Sequence, residues 1–260
     1  MLSSRARQLI GPLFPIANQV RLAWLRIKYK GDKVYCPCCG SRFHEFAPFS
    51  VWKRKNSWCP KCQSLERDRL LWMYLENKTN IYQQSVKFLH IAPERVFFSH
   101  FKKQSNINYF PADKFPNAYP SGTQYIDILN IEMPDNVFDI VICNHVFQYI
   151  DEDKKAMKEL LRVLKPGGWA ILQVPINRKL STTYEDFGIT DPKEREKAFG
   201  LAEHVRFYGL DYADRLRETG FQVIVDNYTD SFSENEIFRY GFWAGDSIYF
   251  CRKYPIVNSL

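Results

Sequence analysis

The sequence predicts an α/β protein: a mostly parallel sheet with helices on both faces, preceded by a small cysteine-rich module. Three observations predict it. From residue 86 onward, short apolar runs alternate with helical or loop stretches, the pattern of strands that return in one direction through crossovers. One of those runs, residues 138–146, is apolar on successive residues at its centre, as a strand covered on both faces should be. Ahead of the runs, four of the seven cysteines fall in two close pairs.

The totals bound the reading. A chain of 260 residues can hold one substantial α/β domain and an appendage. Hydrophobic residues at 45% and charged residues at 25% are ordinary for a soluble globular protein. No apolar run approaches the length of a membrane span. The opening MLSSRARQL lacks the apolar core and cleavage site of a secretory leader. A cytoplasmic protein is expected from these features, and there paired cysteines read as metal ligands rather than disulfides. Aromatic residues reach 16%, which fits a well-packed core with aromatic loops or a pocket lined for stacking. The net charge of +7 is uneven: residues 1–80 hold 15 Lys or Arg against 5 Asp or Glu, and the rest holds 21 against 24. The basic character therefore belongs to the front of the chain. It is either a solvated face or an attraction for nucleic acid, an acidic membrane surface or an acidic substrate.

Along the chain, residues 1–33 form a basic amphipathic segment. A helix is expected over 5–29, with Leu9, Leu13, Ile16, Val20, Trp24 and Ile27 at spacings near three and four, and a break near Pro12 and Pro15. It could dock on the catalytic domain or on a second copy, lie on a membrane, or bind nucleic acid. Residues 34–64 are the cysteine module. Residues 65–84 contain a linking helix that Ser64 can cap, with Glu66 and Asp68 in its first turns. Residues 85–260 carry strands expected at 86–92, 106–113, 123–128, 138–146, 169–175, 221–228 and 247–253. An amphipathic helix over 151–164 ends at Lys165-Pro166-Gly167-Gly168, and another spans 211–219. Residues 176–208 hold no good strand and many polar or aromatic residues. So long an insertion at the open end of a sheet points to function.

The cysteine pairs carry the first specific chemistry. Cys36-Pro-Cys38-Cys39-Gly40 is followed by Cys59-Pro-Lys61-Cys62. Two thiols separated by two residues can point at one ion from a tight knuckle, and Gly40 gives the turn its backbone freedom. Two knuckles complete a tetrahedral S4 site suited to Zn2+, with Cys36, Cys39, Cys59 and Cys62 as ligands and Cys38 spare, although a register using Cys38 stays open. Four thiolates leave no open position, so the ion is expected to be structural. This zinc-ribbon-like module could present Arg42, Trp52, Lys53, Arg54, Lys55 and Trp58 to a substrate, or serve as a lid or scaffold.

The run from Met133 to Pro175, MPDNVFDIVICNHVFQYIDEDKKAMKELLRVLKPGGWAILQVP, resembles the core of class I S-adenosylmethionine-dependent methyltransferases. The front is similar to a bacterial group that joins a CPxC…CPxCxSLERxR segment to that core and shares LHIAPE, the TYED stretch and FGxxxHVRxYGxDY. The resemblance implies a Rossmann-like methyltransferase sheet with S-adenosyl-L-methionine as cofactor. It implies that the first strand ends at the cofactor's methionine portion, here His90 to Glu94. The family's glycine-rich turn is missing there. Ala92 then supplies the close approach, and His90 or Glu94 reaches the methionine moiety. Asp113, ending the second strand, would bind the ribose hydroxyls. Asp127 would contact the adenine amine, with Ile128 against the ring. Asn144, His145 and Phe147 would sit near the sulfonium. Relatives carry an acidic residue and His where this chain has Gln148 and Tyr149. A glycine-fingerprint dehydrogenase is disfavoured, because the fingerprint is absent.

Methyl transfer needs alignment and sometimes proton removal. Tyr184, Glu185, Asp186, His204, Arg206 and Tyr208 in the insertion are the candidate pocket residues. Glu185, His204 or His145 could act as base, and Arg206 could hold an anionic group. Alternatively, these residues form a network that holds the loop closed. A small molecule, sugar or polysaccharide is the expected acceptor. Ribosomal RNA-type methylation using the basic module, and a catalytically idle binding protein, are the competing readings. The oligomeric state is not set by the sequence.

Overall fold

The computed structural model describes residues 14–49 and 54–254. They fall into two compact units, one taking the chain up to Thr79 together with Tyr228–Asp246, the other taking Asn80–Asn227 and the chain from Ser247 onward. In chain order, helix α1 (Phe14–Lys28) leads into strands β1 (Lys30–Cys36), β2 (Ser41–Phe43), β3 (Ala47–Phe49) and β4 (Arg54–Trp58), then helix α2 (Glu66–Lys78). Next come β5 (Val86–Ile91), α3 (Arg95–Phe101), β6 (Ile107–Asp113), β7 (Gln124–Tyr125), β8 (Phe138–Asn144), α4 (Asp153–Val163) and β9 (Leu164–Gln173). The chain finishes with β10 (Tyr184–Glu185), α5 (Pro192–Phe199), β11 (Arg206–Phe207), α6 (Tyr212–Arg217), β12 (Gln222–Asp226), α7 (Glu234–Tyr240) and β13 (Ile248–Arg252).

The first unit is two antiparallel hairpins, β1–β2 and β3–β4, with helices against them. Its small core gathers Leu25, Tyr29, Val34, Phe43, Phe46 and Ala47 around buried Cys36 and Cys59. Helix α1 enters that core through Leu25, joined one turn on by Tyr29, the residue that follows the helix. Pro15 lies in its first turn, where a missing N–H leaves no bond unmade; the break expected near Pro12 falls outside the described residues, as do Trp52 and Lys53. Helix α2 does not use Ser64 as its cap. The Asp68 carboxylate accepts from Leu65 N at 2.8 Å instead, which frees Ser64 to face the cysteines.

Residues 85–260 are expected as one domain, with no strand assigned between 228 and 247; Tyr228–Asp246 instead group with the first unit. The reason is Arg69, fully buried on α2. Its guanidinium donates to the carbonyls of Tyr240 at 2.6 Å and Gly241 at 2.8 Å, just where α7 runs out of internal donors. It also donates to Ser57 O and Ser64 O and lies 4.0 Å from the Phe46 ring centroid.

The second unit is a seven-stranded sheet in the order β12-β13-β9-β8-β5-β6-β7. Neighbouring pairs from β7 through β9 are parallel, and β13 is antiparallel to both β9 and β12. The central strands are apolar on both faces because helices cover both; β8, for example, buries Phe138 and Ile140 to Asn144. Helix α4 buries Ala156, Met157, Leu160 and Val163, one stripe at helical spacing. Three expectations shift. The third strand shrinks to Gln124–Tyr125 at the sheet edge, the fifth begins earlier at Leu164, and the insertion does contain paired strands, Tyr184↔Phe207 and Glu185↔Arg206. Two-residue strands are too short for a period to reveal. Asp139 is structural, accepting from Lys87 N at 2.8 Å and from Lys165 Nζ at 2.7 Å where β8 begins. Among the described residues no helix is long and apolar enough to cross a membrane.

Candidate cofactor site and cysteine centre

The chain leaves β5 for β6 and β7 on one side, then crosses back to lay β8 and β9 on the other. Such a reversal opens a crevice beyond the carboxyl ends of the strands, where open α/β sheets bind ligands. The sequence-predicted residues His90, Ala92, Glu94, Asp113, Asn144 and His145 all lie at the ends of β5, β6 and β8. Glu94 joins two of those ends: Oε2 lies 3.0 Å from His90 Nε2, and Oε1 accepts from Asn144 Nδ2 at 3.2 Å. An ionised carboxylate only accepts, so His90 carries its proton on Nε2 and its Nδ1 accepts from the Tyr109 hydroxyl at 3.0 Å. Burial, then the Glu94 charge, pushes the Tyr109 phenol up and keeps that proton in place.

Ala92 and His145 both adopt left-handed backbone, at φ 52° and 55°. Neither is glycine, so each costs of order 1 kcal/mol. An alanine thus reaches, at the end of β5, a region of φ that favours glycine. Asn144 Oδ1 and Gln148 Oε1 are buried and, among the described residues, have no hydrogen-bond partner. Buried acceptors left open in this way suit the donors of a ligand. Asp113 takes Phe115 N at 2.7 Å on one oxygen. Tyr119, which sequence reasoning missed, has its hydroxyl pushed up by burial and then by the charge and hydrogen bond of Asp113. Its loop position carried no periodic signal. Asp127 pairs with Lys114 at 2.7 Å, and that partner holds its carboxyl below the usual range. Ile128 is buried.

The insertion brings Glu185 and Arg206 together but not into an open pocket. Arg206 is fully buried and donates to Glu185 Oε2 at 2.8 Å, Phe147 O at 2.9 Å, Asp151 O at 2.8 Å and Ile150 O. Asp153 accepts from Tyr208 at 2.6 Å and from Arg215 at 2.7 and 2.8 Å, and Arg215 reaches Glu185 as well. Paired charges like these tie the insertion to the turn after β8. Gly209 completes the closure: a Cβ there would stand 2.6 Å from the Thr182 carbonyl carbon. Replacing Arg206 with leucine would strand three buried backbone carbonyls and take from Glu185 one of its two arginine partners. We expect about 3–5 kcal/mol of lost stability, read from denaturant unfolding. His204 is buried, stacks edge-on against Tyr149 at 4.9 Å, and bonds through Nδ1 to Phe199 O at 3.1 Å. A carbonyl only accepts, so Nδ1 holds the proton and Nε2 is the basic nitrogen.

In the first unit, the sulfurs of Cys36, Cys39, Cys59 and Cys62 all lie within 4.8 Å of one another. Cys36–Cys62 is 3.5 Å and Cys39–Cys59 is 3.8 Å. A tetrahedral zinc with bonds of about 2.3 Å requires edges of about 3.8 Å. Both knuckles close alike: Gly40 N bonds to Cys36 O and Gln63 N to Cys59 O, each at 2.9 Å, with Gly40 and Gln63 both left-handed. Cys38 is not in the cluster. Hydrogen bonds from its thiol neighbours, then burial, push Cys59 up, while those from Cys36, Cys59 and Cys62 pull Cys39 down. So crowded a set sheds all its protons only to a cation. Ser64 Oγ stands 3.3 Å from Cys36 Sγ and 3.2 Å from Cys62 Sγ, and the buried Arg69 cation bonds to Ser64 O at 3.0 Å. The SLERxR segment therefore supplies a hydroxyl and a positive charge beside the thiols.

Residues 107–172 match the family model described as Methyltransferase domain. Among solved structures, the chain is similar to an S-adenosylmethionine-dependent methyltransferase from Mesorhizobium loti, at 12% identity over 71% of this chain and 98% of that one, TM-score 0.49. It is also similar to the cyclase SpnF, at 15% identity over 96% of each chain, TM-score 0.48. A third is 1,6-didemethyltoxoflavin-N1-methyltransferase from Burkholderia thailandensis, at 11% identity over 71% of this chain and 76% of that one, TM-score 0.45. No curated protein matches the chain. The sheet order and strand directions of the second unit, with the match over 107–172, are consistent with a class I, Rossmann-like methyltransferase fold, and the first unit carries a cysteine cluster able to hold a metal.

Proposed function

We propose that the second unit binds S-adenosylmethionine across the ends of β5, β6 and β8 and methylates a small-molecule, sugar or polysaccharide acceptor. The observation that carries this is the Glu94 bridge between His90 and Asn144, with the open Asn144 acceptor beside it. Glu94 and Asn144 suit the ammonium of a methionine moiety. Asp113 suits the ribose hydroxyls through its second oxygen. Asp127 would take the adenine amine once Lys114 swings aside, with Ile128 beneath the ring. The bound cofactor supplies an electrophilic methyl group on a sulfonium, and the protein's work is alignment and proton removal.

His204 is the base this geometry favours, with His145 the second candidate. Glu185 and Arg206, expected as base and anion holder, are better read as the tether of the insertion, because their polar atoms are spent on each other and on the backbone. That pairing takes Arg206 out of any cationic track for phosphates. Exposed Tyr149, Tyr184 and Phe187 instead offer flat faces to a sugar. In the first unit, Cys36, Cys39, Cys59 and Cys62 would hold a structural Zn2+ in a zinc-ribbon-like module.

Labelled S-adenosylmethionine, offered with monosaccharides, nucleotide sugars, polysaccharide and total RNA in parallel, tests the acceptor class. Label in a saccharide arm supports the proposal. Label only in RNA, falling steeply with salt, would transfer it to the RNA reading. No label and no demethylated cofactor in any arm would mean an idle protein. Burial lowers the His204 pKa from 6.5. The ring therefore stays neutral through neutral pH, and protonation removes the base only on the acid side. Rate should be flat near neutrality and fall below that range, and His204→Gln should lower kcat about 100-fold and erase the acid limb.

A further inference from the structure

We propose that α1 is an interfacial anchor that lays the protein on an anionic membrane surface. The helix carries two apolar stripes. Leu22, Leu25 and Tyr29 are buried in the first unit. Val20, Trp24 and Ile27, spaced four and three residues apart, share the opposite face and are 64%, 57% and 74% exposed. A helix that only docks on its own protein needs one stripe.

Charge identifies what covers the second. At about 100° per residue, Arg21 and Lys28 flank the exposed stripe on one side and Arg26 on the other. All three are exposed. Lys28 Nζ lies 5.0 Å from the Trp24 ring centroid, its stem alongside the ring. From Met1 to Lys30 the chain has six Arg or Lys and no Asp or Glu. A second copy seated on this face would bring the same cations together. Nucleic acid would satisfy the cations and leave Val20, Trp24 and Ile27 in water. An anionic lipid surface takes both, with the apolar stripe at the acyl boundary and the cations among the headgroups. At 15 residues the helix is about 22 Å long, suited to lying in the interface. This inference stands apart from the methyl-transfer proposal, since its test reads neither cofactor nor turnover.

The test is cosedimentation of the full chain with vesicles of phosphatidylcholine containing phosphatidylglycerol, and with phosphatidylcholine alone. Binding to the anionic vesicles should be at least about tenfold tighter and should weaken with salt. Trp24→Ser with Ile27→Ser should weaken it about tenfold or more at an unchanged melting temperature, since both side chains are exposed. Arg21→Gln, Arg26→Gln and Lys28→Gln together should remove the preference for anionic lipid. Equal or absent binding to the two vesicle types overturns the proposal, as does a double serine variant that binds like the parent. A dimer that the double variant dissociates, without vesicle binding, overturns it in favour of self-association. RNA binding without vesicle binding overturns it in favour of nucleic acid.

Discussion

Cys59→Ser is expected to abolish metal binding and unfold the hairpins of the first unit. The core there is a handful of side chains around two buried cysteines, too little to fold a module of this size unaided. Structural zinc contributes about 10–16 kcal/mol to peptides that fold around it, well above what those contacts supply. Serine at Cys59 would break the S4 set and leave Cys36, Cys39 and Cys62 crowded without their cation. Cys38→Ser is the control, because Cys38 lies outside the cluster. Metal analysis with hydrogen exchange reads both. Parent and Cys38→Ser should carry one ion per chain and protect β1 to β4, and Cys59→Ser should do neither. A parent purified without chelator that is metal-free and fully protected would contradict the assignment. Because binding must displace thiol protons, affinity should rise with pH.

Glu94→Ala should reduce S-adenosylmethionine affinity about ten- to a hundredfold or more, the scale of one or two charge-assisted hydrogen bonds at about 1.5–3 kcal/mol each. The same change strands His90 Nε2 and the Asn144 amide, which now meet the two Glu94 oxygens, and should cost about 1–3 kcal/mol of stability. Glu94→Gln separates the effects. It keeps the shape and most of the packing but removes the charge, so affinity should fall much further than the melting temperature. Asp113→Asn should act in the same direction by about tenfold, since only its second oxygen is free of the Phe115 turn. Equal affinities for parent and Glu94→Gln, by calorimetry, would count against Glu94 as a ligand group.

What the sequence discloses follows from range. Strand β8 is legible because both its faces are buried, so its own residues announce it. The convergence of the four cysteines is legible because a two-residue gap forces two sulfurs to one side of a turn. The LHIAPE segment carries no glycine signal, yet Ala92 reaches left-handed backbone there; periodicity does not encode a single strained residue. Arg206 and Glu185 could be catalytic or structural from sequence. Their answer lies with Asp153, Arg215 and the carbonyls after β8, up to 59 residues away along the chain. The placement of Tyr228–Asp246 with the first unit depends on Arg69, more than 170 positions upstream of Gly241. Tyr119 and the open acceptor of Asn144 emerge only once β5, β6 and β8 stand side by side.

Isothermal calorimetry of the full chain with S-adenosylmethionine and its demethylated product tests the central claim most directly. The account predicts one site per chain for each ligand, weakened together by Glu94→Gln and Asp113→Asn and left unchanged by Trp24→Ser. Absence of binding by both ligands to a folded, metal-replete parent would contradict it.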